Sequence, residues 1–237
     1  MPAEIKDNAS SSFWKRRKGI LLQVIIVLLP PILVLRSGAL LLAGVACSLL
    51  LSWIGLRLRR LRWSDMGLRT PSSPLKAILI AVVATLLLIP LSYALRQAVT
   101  SITHQSPNLE AFKTIKDNPS MLLFSLAIAW IFGAFAEEMF FRGFLMNSFS
   151  KLFAEKNFND RVKWTLSLVV TSVLVGIGHA YEGITGMTIT SIIGLCFGLI
   201  YLNSKRNLWP SILTHGLYDT VAFLFLFFGF SPDQLFK

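Results

Sequence analysis

The sequence predicts an all-α fold, a polytopic transmembrane helical bundle of about seven spans enclosing a buried polar cavity. Three observations carry this. Hydrophobic residues make up 54% of the 237 and charged residues only 15%. Several apolar runs reach or approach the ~20 residues that cross a bilayer as helix. Within one of them lies Ala136-Glu137-Glu138-Met139-Phe140-Phe141-Arg142. An ionisable group at mid-membrane costs at least ~2.5–3.5 kcal/mol, so this cluster must point inward and pair.

The spans follow in order. The first, 19–35, starts after the basic tail 1–18 and carries Pro30-Pro31, expected to kink it. The second, 38–56, follows a tight turn at Arg36-Ser37-Gly38. A basic loop, 57–74, contains the helix-breaking run Arg69-Thr70-Pro71-Ser72-Ser73-Pro74. The third span is 75–95, and a polar connection, 96–118, carries His104, Pro107 and Asn118-Pro119. The fourth, 120–146, holds the acid cluster. A basic connection, 147–162, leads to the fifth, 163–180. The sixth is 184–203 and the seventh 207–230. By domain, this divides into the tail, three N-terminal helices with their connection (19–118), a helical core (119–230) and a short C-terminal tail (231–237). In the sixth span, Gly194 and Gly198 at four-residue spacing permit close helix packing. There is no internal repeat of the kind that marks inverted-repeat transporters.

A net charge of +11 raises the question of nucleic acid. The distribution argues against it. Lys15 to Lys18, Arg57 to Arg62, Lys151 to Lys163 and Lys205-Arg206 all sit at the ends of apolar runs, which is positive-inside patterning with attraction to anionic lipid. This predicts the N-terminus in the cytoplasm and the C-terminus outside, and the short loops and small exported region point to a bacterial inner membrane. Cys47 and Cys196 lie in apolar runs and read as packing residues. The Asn8-Ala9-Ser10 sequon falls on the cytoplasmic side and reads as idle.

Three further polar side chains stand in the apolar second half. His179 ends the fifth span. His215 and Asp219 are four residues apart on one face of the seventh, as are Glu138 and Arg142 on the fourth. Glu137 points about 100° away from Glu138. The two acids therefore divide their work. Glu138 is held ionised by Arg142, and Glu137 is freer to take and give a proton. Glu137, His179, His215 and Asp219 would then surround either a water or a metal-bound water, since imidazoles and carboxylates are also Zn²⁺ ligands. A histidine or Arg142 would stabilise an oxyanion. Alone, each feature has a plainer reading: an ion pair locking helices, a hydrogen-bonded helix-end histidine, or a proton relay. Together they weaken that reading. One tension concerns depth. At ~1.5 Å per residue, Glu137 and His215 fall in the cytoplasmic half of their spans, and His179 falls near the opposite face if its helix starts at Lys163.

Glu137-Glu138-x-x-x-Arg142, the histidine ending span five, and His215-x-x-x-Asp219 resemble the three motifs of the CPBP intramembrane proteases. That family includes CAAX prenyl endopeptidases and bacteriocin-processing or self-immunity proteins. The resemblance covers about 120–225. It implies a membrane endopeptidase in which Glu137 activates water, His179, His215 and Asp219 complete the catalytic centre, and Glu138 and Arg142 support it. Val175 stands where the second motif usually has Phe. The resemblance leaves open a divalent metal such as Zn²⁺ or a glutamate-type mechanism without cofactor, and there is no His-Glu-x-x-His zinc helix. The implied partners are the bilayer and a membrane-associated or lipidated peptide or protein substrate. The alternatives are a non-catalytic immunity or secretion-accessory protein that keeps the fold, and, with less support, a proton-coupled transporter.

Overall fold

A computed structural model describes residues 13–34, 40–154 and 158–230. The turn expected at Arg36-Ser37-Gly38, the sequon, most of the basic tail and the C-terminal tail lie outside these residues. The fold is all-helical. Its long helices are α1 (Arg17–Val34), α2 (Leu41–Leu58), α3 (Pro74–Thr103), α4 (Pro119–Ala154), α5 (Asp160–Gly178), α6 (Gly183–Asn203) and α7 (Leu208–Phe227). Among the described residues, six of these are long and apolar enough to cross a membrane, and α2 supplies a shorter apolar helix over Leu42–Leu58. By length and composition these helices suit an integral membrane protein.

Two boundaries differ from expectation. α3 runs on to Thr103, through residues expected in the polar connection. Arg96 to Thr103 is polar but contains no glycine or proline, so nothing stops the helix before His104, which caps it in the left-handed conformation (φ 54°). α4 likewise extends to Ala154, into the expected basic connection. Its last two turns bury Asn147, Ser148, Ser150 and Leu152, and Asn147 and Ser150 hydrogen-bond carbonyls of the same helix. α1 passes through Pro30-Pro31 and ends at Val34, one turn later.

The helices turn small residues inward. On α3, Ala77, Ala81, Thr85 and Leu88 are buried, while Leu75, Ile78, Leu79, Val82, Val83, Leu86 and Leu87 are exposed. Large apolar groups on the outside suit lipid as solvent, and small ones inside let backbones approach. A Cβ on Gly176 or Gly198 would strike Ser191 Oγ on α6 or Leu168 on α5 respectively, so α5 and α6 pack nearly backbone to backbone.

At the basic end, the 57–74 loop is tied down rather than loose. Gly67 adopts φ +106°, and a Cβ there would collide with the Arg206 carbonyl. Its own carbonyl accepts from Leu208 N–H, and Tyr201 donates to the Met66 carbonyl. Nearby, Arg59 is buried against Ser148 and the Phe144 ring, and burial pulls its guanidinium down to about 10. These contacts fix α4 and the start of α7, the two helices that carry most of the site.

Candidate active site

α4 is not a regular α-helix where the acids lie. It is wound as π-helix over Ala129–Glu137 and again over Met139–Met146. Such wide turns are rare and concentrate at functional sites. Glu138 sits between the two stretches and is wholly buried. Its Oε1 accepts from Arg142 Nη1 at 2.7 Å and stands 3.1 Å from His215 Nδ1. Its Oε2 accepts a hydrogen bond from the Ser211 hydroxyl. Both oxygens of this carboxylate are thus engaged, as a buried charge requires.

Arg142 is 1% exposed, and its Nη2 donates to the Gly194 carbonyl at 2.6 Å. It is thus consumed inside the bundle and does not reach the cavity. The expectation that it could serve an oxyanion is not met, and its place is that of a helix-locking cation. Gly194 permits the approach, since a Cβ there would stand 3.4 Å from Arg142 Nη2.

His215 is held on three sides. Nδ1 faces Glu138, Nε2 faces Asp219 Oδ2 at 3.5 Å, and the ring stacks on Phe197 with centroids 4.5 Å apart. Arg142 covers Phe197 as well, 5.7 Å from the ring centroid. His179 caps α5, and its Nδ1 lies 3.0 Å from the Val175 carbonyl. That bond uses backbone, so it does not depend on which side chain occupies 175. With Nδ1 as donor, Nε2 is the atom left for chemistry.

Glu137 differs from all of these. Among the described residues its carboxylate has no hydrogen bond or ion pair, and it lines a cavity of about 400 Å³ together with His179, His215 and Asp219. Glu137, near the middle of α4, and His179, at the C-terminal end of α5, nevertheless line this one cavity; α5 begins at Asp160, three residues earlier than expected. A second, smaller and almost wholly apolar cavity, lined by Leu28, Pro31, Val45, Phe141 and Leu174 among others, meets the first at Glu137 and His179.

The structure therefore brings Glu137, His179, His215 and Asp219 to one cavity and sets Glu138 and Arg142 behind it. As placed, the four do not fit a metal ion: among the described residues no three His, Cys, Asp or Glu side chains are grouped as a ligand set.

Four participants were not foreseen. Ser211 lies one turn before His215, so Ser211-x-x-x-His215-x-x-x-Asp219 was legible as a single face. Gly133 lies four residues before Glu137, and a Cβ there would stand 3.2 Å from Asp219 Oδ2 and 3.9 Å from His215 Nε2. Phe197 carried no polar signal. Glu182, three residues after His179, lines the same cavity.

Residues 119–221 match a family model described as type II CAAX prenyl endopeptidase, Rce1-like. No curated protein and no solved structure matches the chain. The matched segment contains Glu137, Glu138, Arg142, His179, His215 and Asp219. Residues 119–221 are thus similar to the Rce1-like type II CAAX prenyl endopeptidase family, consistent with the CPBP family that the three motifs resemble.

Proposed function

We propose that the protein is an intramembrane endopeptidase that hydrolyses a peptide bond of a membrane-associated or lipidated protein or peptide, using a water activated by Glu137. One observation carries the reading. Glu137 is a carboxylate open to a cavity, while its neighbour Glu138 is spent on Arg142, Ser211 and His215. Glu137 accepts a proton as the water oxygen attacks the scissile carbonyl carbon. The negative charge moves to the carbonyl oxygen, where a protonated His179 or His215 ring would meet it with Nε2–H. As the C–N bond breaks, Glu137 passes its proton to the departing amine. Glu138 and Asp219 bracket the His215 ring and fix its plane, and no step is routed through a metal. The basic clusters at span ends support an orientation with the N-terminus in the cytoplasm.

The test is cleavage of an S-farnesylated C-terminal peptide by purified protein in detergent. Glu137→Gln keeps the volume and removes the base. It should lower turnover by at least ~10²-fold with the protein level unchanged. Full activity in that variant would overturn the reading.

A further inference from the structure

The smaller cavity beside the catalytic groups has no part in the steps above, and its lining differs from that of the main one. Its walls include Leu28 and Pro31 of α1, Val45 of α2, Phe141 of α4 and Leu174 of α5. Ser48 also lines it, but its hydroxyl is spent on the Val27 carbonyl. Glu137, His179 and Tyr181 are the polar side chains left, and these line the main cavity too, together with Val45 and Val175. The two spaces therefore meet in a neck at groups that carry the chemistry. α1 and α2 lie outside the matched segment 119–221, so part of this wall comes from helices that the family model does not cover.

Val175 shapes the neck. Its side chain is 4% exposed and lines both spaces. A Cβ on Gly194 would stand 3.5 Å from Val175 Cβ, so the glycine opposite leaves room beside it. Val175 stands where the second of the resembled motifs usually has Phe, and a ring built on this Cβ would fill the neck. Its carbonyl meanwhile lies 3.0 Å from His179 Nδ1. The backbone of this residue thus anchors the imidazole, and its side chain sets the space beside it.

Volume decides what enters. The cavity holds about 200 Å³. A dry cavity of ~150 Å³ lined by Leu, Ile and Phe takes benzene. At the same packing, a farnesyl chain needs roughly twice the space present. A phenyl or branched aliphatic side chain fits.

We propose that this cavity receives a large apolar side chain, aromatic or branched aliphatic, from the substrate residue next to the scissile bond, and that Val175 sets the size admitted. The proposal deepens the peptidase reading above and rests on it. The substrate is then a peptide chosen by an apolar amino-acid side chain at the cut, whether or not a lipid is attached elsewhere.

The probes are short soluble peptides of glycine, serine and lysine with one variable residue at the centre, made with Phe, Leu, Ala or S-farnesylcysteine there. Binding to detergent-solubilised protein and cleavage are both measured. The Phe and Leu peptides should bind at least ~10-fold more tightly than the Ala peptide and be cut beside the variable residue. Val175→Phe should bring the Phe-to-Ala ratio close to one. Leu28→Trp fills the same cavity from α1 and should do likewise where Val175→Phe fails to fold. A merely structural defect lowers all the peptides in parallel and leaves the ratio intact. Wild-type protein that treats Phe and Ala alike overturns the proposal without needing a variant, as does an unchanged ratio in either folded variant. Loss of farnesyl-peptide binding in Val175→Phe with the Phe-to-Ala ratio kept would give the cavity to a lipid chain and overturns it too. Selective binding with no cleavage of any peptide would keep the cavity's ligand and remove the peptidase reading. Cleavage without selectivity would do the reverse.

Discussion

His215 Nδ1 stands 3.1 Å from Glu138 Oε1, which joins the seventh long helix to the acid-bearing fourth at the back of the cavity. The same oxygen accepts from Arg142 at 2.7 Å, so one carboxylate both locks a helix and orients a ring that faces the substrate space.

Glu138→Gln leaves Arg142 buried without its anion. We expect a loss of ~3–5 kcal/mol in stability, seen as a lower thermal midpoint in detergent, along with loss of cleavage. Combining it with Arg142→Met should recover much of the stability and none of the activity. An unshifted midpoint in the single variant would contradict the buried-pair account.

Ser211→Ala removes the hydroxyl that donates to Glu138 Oε2. The cost should be ~1–3 kcal/mol, smaller than for Glu138→Gln, and turnover should fall because the carboxylate that holds His215 is less constrained. A double-mutant comparison with His215→Ala checks this. Additive effects on turnover would place Ser211 outside the His215 network.

Gly133→Ala should separate chemistry from folding. Its Cβ would stand 3.2 Å from Asp219 Oδ2, so the carboxylate must shift by a few tenths of an ångström. Helix propensity favours Ala over Gly by ~1 kcal/mol, so the thermal midpoint should hold or rise while turnover falls at least ~10-fold. Unchanged turnover would show that the Asp219 position is not demanding.

Exhaustive chelation, followed by metal analysis of the same sample, should leave cleavage intact, because Glu137, His179, His215 and Asp219 are not grouped as a ligand set. Activity lost on chelation and restored by Zn²⁺ would require these side chains to converge on an ion.

Much of the site was legible because burying charge in an apolar helix is so expensive that few other reasons exist for Glu137, Glu138 and Arg142 to be there. The four-residue spacings gave His215 beside Asp219 and Glu138 beside Arg142 without any coordinates. Other features left no such trace. That Glu138 also meets His215 depends on how the fourth and seventh helices cross, and no local spacing encodes a crossing. Arg142 looked available to a substrate until the Gly194 carbonyl claimed its second nitrogen. The ends of the third and fourth long helices were misjudged because Arg96 to Thr103 and Asn147 to Ala154 are polar, and polarity marks the edge of the lipid more reliably than the end of a helix. Phe197 read as one aromatic among many, although it lies between Arg142 and His215.

The wide winding of Ala129–Glu137 and Met139–Met146 has a consequence for how this segment tolerates change. A helix wound this way carries slack. One residue removed between Ala129 and Met146 can be taken up by tightening a turn, with both ends of the helix left where they are. Only the side chains within the tightened turn then change bearing about the axis. Residue count in this stretch is therefore an aiming device, setting the bearing of Glu137 toward the cavity, and a deletion that leaves every named side chain in place would still point the base at the wrong wall.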